Sequence, residues 1–520
     1  LKRRRDGVRR RAVHRSEATV VARRSACDWS VCRHRGASSR RILPRAPPVH
    51  KTGDLTLPRR LWDHPSMLRE DPPTPARAAA RAPALRRESA VAIVERLQQA
   101  GHQAVFAGGC VRDKLLGRMP ADYDIATSAR PDDVEALFEH TVPIGRQFGI
   151  VLVPGAEHHF EVATFRKDEG YVDGRRPVAV QFTDMETDAE RRDFTINAMF
   201  EDPVTGRIVD FVGGRADLQA GVVRAVGDPA QRFAEDHLRL LRAVRFSARF
   251  GFPIDAATHK AMVSAAATIT RVSAERIGEE IVRMLTEGHA KRSFELLDET
   301  GLLPHVLPEI DAMKGCEQTP DNHPEGDVFV HTMLCIGHLE AGCSETLAFG
   351  VLLHDVAKPP CAETRPDGRR TFYGHTRDGA RMAEDILRRL RRSNATIERV
   401  AFLADQHLRH CAAVEMRSST LKRFLRQDGI DELMELARID ALSSNGDLGH
   451  WEFCRKALDE LSAEQMKPAP LIGGRDLMEL GLQPGPNFKT ILREVEDAQL
   501  DGTLATREAA LEFVKARFAG

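Results

Sequence analysis

The sequence predicts an α+β amino-terminal part followed by an all-α remainder. Two observations carry this. Strand-like apolar segments are confined to 104–182, and amphipathic helical patterning dominates from about residue 229 to 460. Strands first and helices afterwards point to separate domains rather than to an alternating parallel α/β fold. A chain of 520 residues is long enough for two to four of them.

The elements follow in order. Residues 88–101, ESAVAIVERLQQAG, space their apolar positions as a helix does, and Gly101 ends it. A short buried strand over 104–107 closes on Gly108-Gly109. A second strand, 122–127, runs toward Pro131-Asp132-Asp133, a good helix start. Segments 149–153 and 159–165 read as paired strands with a turn at Pro154-Gly155. The polar, glycine-containing stretch 166–177 reads as a loop, and 178–182 as one more strand. Over 235–249 a single helix is expected. Arg239, Arg242, Arg245 and Arg249 share one arc of it, and Leu240, Leu241, Val244 and Ala248 share the other. Pro468 and Pro470 mark a linker, after which Gly473-Gly474 and Pro-Gly-Pro at 484–486 precede a last pair of helices. There are no internal repeats.

Formal charge is zero, 76 Lys/Arg against 76 Asp/Glu, but it is unevenly spread. Residues 1–66 hold 18 basic and five acidic residues, which leaves the rest of the chain acidic, so any contact with RNA must use local basic faces. The segment opens on Leu1 and runs through LKRRRDGVRRR. It reads as a disordered basic arm or as translated upstream sequence, with an Arg-rich transit peptide as the other alternative. No apolar run approaches the ~20 residues that span a bilayer, so a soluble, cytoplasmic protein is expected. The nine cysteines stand singly without a CxxC pair and read as reduced thiols.

Chemistry concentrates in a few places. Gly108-Gly109 sits between a strand and a helix. There the backbone can approach a phosphate, the helix start offers N–H donors, and Arg112 adds a fork that fits phosphate oxygens. Alone, this is better read as a tight strand-to-helix turn. Asp122 and Asp124, two apart in DYDIAT, fall on one face of the next strand, and two adjacent carboxylates call for a neutralising cation such as Mg²⁺. Glu161 in HFEVATF could supply a third carboxylate, or be a solvated strand residue.

The order GGCVRD (108–113), DYDIAT (122–127), RRDFTINA (191–198) and EDHLRLLR (235–242) resembles the class II nucleotidyltransferases, which comprise bacterial and eukaryotic tRNA CCA-adding enzymes and bacterial poly(A) polymerases. The likeness covers about 86–310. It implies a polymerase-β-like head with a mixed sheet (86–225) and a helical neck (226–310) carrying a base-reading helix. It further implies that Asp122 and Asp124 bind two Mg²⁺ ions for nucleotidyl transfer, and that Gly108, Gly109 and Arg112 contact the nucleotide. Arg192, Asp193 and Asn197 would recognise ribose. Asp236 and Arg239, with Arg242 and Arg245 nearby, would choose ATP or CTP by the base edge, since both bases carry an exocyclic amine that an aspartate accepts from. The implied partners are tRNA, ATP and CTP, with neither DNA nor a membrane expected. The wording EDHLRLLRAVRF is closer to the CCA-adding members than to the poly(A) polymerases. Segment 168–177 resembles the flexible loop of members that add the terminal A.

Farther on, His331, His354-Asp355 in LLHDVAK, His375, His407, His410 and Asp440 follow in sequence. The order His…His-Asp…Asp resembles the HD-domain phosphohydrolases. It implies an HD body (311–465) in which His331, His354, Asp355 and Asp440 hold Mg²⁺, Mn²⁺, Ni²⁺ or Co²⁺, followed by a helical tail (466–520). Three readings fit the sequence: CCA addition; poly(A), CC-only or A-only addition; and an RNA-binding HD hydrolase with a vestigial head. An HD fold serving only as a scaffold for tRNA is compatible with the first two.

Overall fold

The computed structural model describes residues 75–155, 158–172, 176–320 and 323–518, so the expectation for 1–66 lies outside the described residues. Helix α1 (Pro75–Gln99) starts well before the 88 read from apolar spacing. Its apolar face, Ala90, Ile93, Val94 and Leu97, is buried against the sheet. Strands β1 (Ala104–Ala107) and β2 (Asp124–Thr127) flank α2 (Gly109–Leu115). Next come α3 (Pro131–Leu137), β3 (Val142–Gly145), β4 (Ile150–Pro154) and β5 (His159–Thr164). After an excursion described below, β8 (Met199–Glu201) and β9 (Ile208–Asp210) complete a seven-stranded sheet in the order β3-β4-β5-β2-β1-β8-β9. Only β2 and β5 pair in parallel, and the remaining pairs are antiparallel, so the sheet is mixed as expected.

Two elements differ from the reading of the sequence. The stretch expected as a loop folds as a hairpin, β6 (Arg166–Val172) with β7 (Arg176–Phe182), in a two-stranded sheet of its own. Its polar composition hid it: the ladder is made by backbone groups, which leave no apolar alternation. The helix expected over 235–249 is also broken. Helix α4 (Met185–Glu190) and α5 (Gly214–Ala220) lead to α6 (Pro229–Glu235), and α7 runs from Arg239 to Phe250. Between the last two, Asp236 is extended (φ −141°), and its Oδ1 accepts a hydrogen bond from Leu238 N at 3.1 Å. An aspartate competes well for backbone N–H groups at helix starts, so the chain breaks there.

From α8 (Ala256–Ala265) through α9 (Ala274–Thr286), α10 (Ala290–Glu299), α11 (Leu303–Val306) and α12 (Pro308–Asp311) the chain is helical. It continues as α13 (Val328–Gly337), α14 (Glu345–Leu353), α15 (His375–Arg389), α16 (Asn394–Gln406), α17 (Ser418–Leu425), α18 (Ile430–Ser443) and α19 (Gly449–Glu460). One small strand pair, Glu363–Thr364 with Arg370–Thr371, interrupts it. The largest apolar core runs from Ala90 on α1 to Cys454 on α19, a second gathers Val105, Ala107, Ala126, Phe165 and Phe200 in the sheet region, and Ile472, Leu477, Ile491, Val495 and Val514 form a third in the tail. No helix among the described residues is long and apolar enough to cross a membrane. The seven cysteines in the described residues are free thiols.

Candidate active site in the sheet region and a histidine cluster in the helices

The glycine turn is built for close approach. Gly108 has φ +73°, and a Cβ there would stand 3.0 Å from Arg192 Nη1, so a side chain would be strained and crowded at once. Strand pairing sets Ala107 opposite Asp124, which brings the turn beside the carboxylates. Asp122 lies just before β2, not within it, and Asp124 opens the strand. The parallel register places Ile125 opposite Val162, so Asp124 and Glu161 occupy neighbouring positions on adjacent strands. The electrostatic consequence is marked. Burial first, then Glu161 and Asp122, push the Asp124 carboxyl up to about 6, although Arg192 opposes them. Three carboxylates that feel one another's charge, one of them resisting ionisation, favour a cation nearby.

Opposite these acids stands a shell of arginines. Arg112, 4% exposed, donates from Nε and Nη2 to Asp113 Oδ1 at 2.8 and 2.7 Å and from Nη1 to Asn197 Oδ1. Its guanidinium also lies over the Phe250 ring, 4.7 Å from the centroid. Asp193 accepts from Arg242 Nε and Nη2 at 2.8 and 2.6 Å and from Asn197 Nδ2 at 3.1 Å. Burial alone would raise its pKa, but Arg242, Asn197 and Arg239 outweigh that and hold it down at about 2. Arg192 donates to Asp188 Oδ2 at 3.0 Å. Arg239 is fixed by Glu235 Oε2 and the Arg232 carbonyl, both at 2.8 Å, and Arg245 by Glu280 Oε2 at 2.6 Å. On the arginine arc, Arg239 and Arg245 are buried, Arg242 and Arg249 are partly so, and all four are ion-paired. Asp236 in turn receives both ends of Arg276, Nη1 on Oδ1 at 3.2 Å and Nη2 on Oδ2 at 2.8 Å.

All twelve residues expected from the sequence in this region line one cleft of about 520 Å³: Asp122, Asp124, Gly108, Gly109, Arg112, Arg192, Asp193, Asn197, Asp236, Arg239, Arg242 and Arg245. Arg191 and Arg249, present in the motifs but given no site role there, line it too, and sequence reasoning missed Arg283, another lining residue, and Arg276 and Glu280, which hold lining residues in place. Eight arginines face five aspartates across the cleft, a balance that favours a polyanion accompanied by cations.

The helical region gathers its own cluster. His331 on α13, His354 and Asp355 just after α14, His375 at the start of α15, His407 at the end of α16 and Asp440 on α18 converge. His331 Nε2 is 3.2 Å from Asp440 Oδ1, and His354 Nε2 is 3.2 Å from Asp355 Oδ2. Donor atoms of His331, His354 and Asp440, with Cys335, lie within 4.8 Å of one another. His331 Nδ1 meets Glu325 Oε1 at 2.7 Å, a carboxylate–histidine contact that fixes the orientation of the ring. Burial opposes charge on His331, yet Cys335, Asp440 and Glu325 raise it well above its usual value. The Asp355 carboxyl, buried, is held well below the usual range by Lys358 and His354. His410 is not part of the cluster; its Nδ1 turns to the His407 carbonyl at 2.8 Å. Cys335 and Glu325 had no recognisable signal in the sequence.

Comparison with known proteins follows the same division. Residues 104–224 match the poly(A) polymerase head domain, 251–314 the RNA- and SrmB-binding site of polymerase A, and 376–514 a second domain of tRNA nucleotidyltransferases. The CCA-adding enzyme of Levilactobacillus brevis is 33% identical over 434 residues, covering 82% of this chain and 96% of that one. This chain belongs to the CCA-adding enzyme family. The CCA-adding enzyme of Geobacillus sp. strain WCH70 is 43% identical over 220 residues, and the alignment spans about half of it, 54%. Among solved structures, the Bacillus stearothermophilus CCA-adding enzyme in complex with CTP superposes with a TM-score of 0.61 at 26% identity, over 83% of this chain and 98% of that one. The Thermotoga maritima CCA-adding enzyme complexed with tRNA shares the fold, with a TM-score of 0.53 at 20% identity over 82% and 94% of the two chains. Membership implies a divalent-metal-dependent nucleotidyltransferase.

Proposed function

We propose that this chain adds and repairs the 3′-terminal CCA of tRNA, using CTP and ATP without a nucleic-acid template. The observation that carries the reading is the convergence of all twelve motif residues on one arginine-rich cleft whose floor is an aspartate cluster. The relatives named for CCA addition, one of them captured with CTP and another with tRNA, support the same reading.

The roles follow from position. Asp122 and Asp124, with Glu161 beside them, would hold two Mg²⁺ ions, which supply activation of the primer 3′-hydroxyl and charge neutralisation at the leaving pyrophosphate. Gly108 and Gly109 let the triphosphate approach the backbone at the α2 N-terminus, and Arg112 stands ready to bind its oxygens. Asp193 and Asn197, joined to each other and to Arg242, present a rigid polar edge to the ribose. Asp236 retains lone pairs beyond those given to Arg276 and accepts from the exocyclic amine of cytosine or adenine, while Arg239 donates to ring acceptors. Residues 86–225 form the head, 226–310 the neck, 311–465 an HD body and 466–520 the tail. In the body, His331, His354, Asp355 and Asp440 bind a divalent metal, Mg²⁺, Mn²⁺, Ni²⁺ or Co²⁺; the convergence of their donor atoms is what favours a metal-dependent phosphohydrolase there over a plain scaffold.

The test is addition by the purified protein, one nucleotide at a time, to tRNAs ending before C74, C75 or A76. CCA addition requires CTP on the first two and ATP on the third. Processive A-tailing, CC-only products or no incorporation would each reject the reading.

A further inference from the structure

Helix α1 begins at Pro75, well before the apolar spacing at 88, and the extra length carries Arg86 beside the segment that leads into β2. Three partners grip its guanidinium. Nη1 donates to the Ala121 carbonyl and to Asp122 Oδ1, the latter at 3.3 Å, and Nη2 meets His158 Nε2 at 2.5 Å. An arginine only donates, so His158 offers the lone pair of a neutral ring at Nε2. Ala121 and Asp122 line the cleft, and His158 leads into β5, the strand that carries Glu161.

The grip is firm in geometry and weak in energy. Asp122 keeps 87% of its side chain exposed, so water can hydrate the carboxylate with or without Arg86. Arg86 is the more enclosed partner, and its Nε is buried without a hydrogen-bond partner among the described residues. Burying a donor that nothing satisfies costs free energy, which release to water recovers. An ion pair with one exposed partner adds little to hold the arm down. The arm can therefore be displaced, yet while in place it sets a full positive charge against one carboxylate of the cluster.

Asp122, Asp124 and Glu161 crowd negative charge that a cation relieves, and Arg86 gives part of that relief at Asp122. A divalent ion bound to the same oxygen, at about 2.1 Å from it, lies within about 5.5 Å of the guanidinium. The two cations repel, so each loosens the hold of the other.

We propose that Arg86 competes with the divalent cation for Asp122: α1 occupies the carboxylate in the metal-free chain, lowers the affinity of the cluster for the metal, and yields Asp122 when the metal binds. This rests on the reading of Asp122 and Asp124 as ligands of the head metal. At that separation a dication and a guanidinium repel through water, at low salt, by the equivalent of about a tenfold rise in Kd. Screening at about 0.15 M salt reduces this to about three- or fourfold. The metal concentration at which the head fills is thereby set by a residue of α1 that lies outside the four motifs.

The experiment uses the full chain with His354→Ala and Asp355→Ala, which removes two of the proposed body ligands and leaves the head as the Mn²⁺ site. The Kd for Mn²⁺ is measured from the EPR signal of the free ion, at low salt and at about 0.15 M. Arg86→Met, which keeps the length of the arm without its charge, should tighten binding about tenfold at low salt and about three- or fourfold at the higher salt. In a protein that also carries Asp122→Asn the arm is no longer drawn to the cluster, and Arg86→Met should leave Kd nearly unchanged. Unchanged binding after Arg86→Met in the parent overturns the competition, as does weaker binding, which would make Arg86 a support that orients Asp122. A gain of equal size in the Asp122→Asn protein places the effect elsewhere and overturns it too. The absence of Mn²⁺ binding, or binding that Asp122→Asn with Asp124→Asn leaves intact, overturns the head ligands themselves. Circular dichroism guards against misfolding, and Arg86→Gln makes the same comparison if the methionine variant does not fold.

Discussion

Replacing Arg276 by Met removes a charge from the neck while keeping most of the volume of the side chain. Among the described residues the ion-pair partner of Arg276 is Asp236, which it holds by both carboxylate oxygens at 3.2 and 2.8 Å. The pair is partly sheltered, with 27% and 20% of the two side chains exposed, so water can replace the guanidinium and the fold should lose only about 1 kcal/mol. What is lost is orientation. With Arg276 gone, only the bond from Leu238 N to Oδ1 steers the carboxylate, and its free oxygen can rotate off the base edge. A complete base-reading contact is worth roughly 1–3 kcal/mol of discrimination. Losing its alignment should cost about half, roughly 0.5–1.5 kcal/mol, a fall of about two- to tenfold in the preference for CTP over UTP. Asp236→Ala, which deletes the acceptor, should cost the whole, one to two decades. The assay is kcat/KM for all four nucleotides on a tRNA lacking its last two residues. Should Arg276→Met lower all four values by one common factor, Arg276 is a structural tie and the assignment of Asp236 to base reading loses its support.

Asp122→Ala or Asp124→Ala should abolish incorporation at saturating Mg²⁺ while tRNA binding, followed by filter retention, stays within a few fold. Asp124→Asn should raise the melting temperature of the metal-free protein at pH 7–8. The folded-state pKa of Asp124 is raised to about 6, so its ionisation costs stability in full above pH 6, and the cost disappears below the unfolded value near 4. The gain over the parent should therefore shrink as pH falls from 6 to 4, and a gain independent of pH would contradict the carboxylate cluster. His354→Ala with Asp355→Ala should remove metal-dependent hydrolysis of 2′,3′-cyclic or 2′-phosphate ends and leave CCA addition unchanged. If the parent hydrolyses neither with Mg²⁺, Mn²⁺, Co²⁺ or Ni²⁺, the body is a scaffold.

What could be read from the sequence was local. Asp122 and Asp124 stood out because strand geometry has a period of two and a glycine turn preceded them, and the cleft contains both. Of the hairpin over Arg166–Phe182, the part 166–177 reads as a loop in the sequence and only 178–182 as a strand, because the ladder is backbone pairing and side chains are tied by charge, as Arg166 is to Asp168 at 3.2 Å. The break at Asp236 had a signal, an aspartate just before a helix, but the apolar spacing on both sides ran through it and concealed the join. Arg276, Glu280 and Arg283 could not be found in this way. They lie about 40 residues beyond the motif they serve, on the charged face of α9, and a sequence shows such a face only as one that suits water. Glu325 escaped for the same reason: only folding brings it to His331.

On the proposed base-reading role, the pairing pattern supplies the rigidity that side chains need to stand in for a template. A flexible arginine would lose rotamer freedom on meeting each base, and that cost would fall equally on right and wrong nucleotides. Here the freedom is already spent: Arg239 is fixed by Glu235, Arg242 by Asp193 and Arg245 by Glu280 before any nucleotide arrives. The Asp193–Arg242 pair also joins the segment assigned to ribose to the helix assigned to the base, so a displacement of one is passed to the other. Such a network makes single deletions within it hard to interpret. Removing Arg242 strands a buried carboxylate that is held at about 2 by that partner, and breaking a buried pair in this way costs about 3–5 kcal/mol of stability. Loss of activity there would mix unfolding with loss of recognition. Arg276 is the better probe because its partner can reach water, so a change in nucleotide preference after its removal reports on recognition alone.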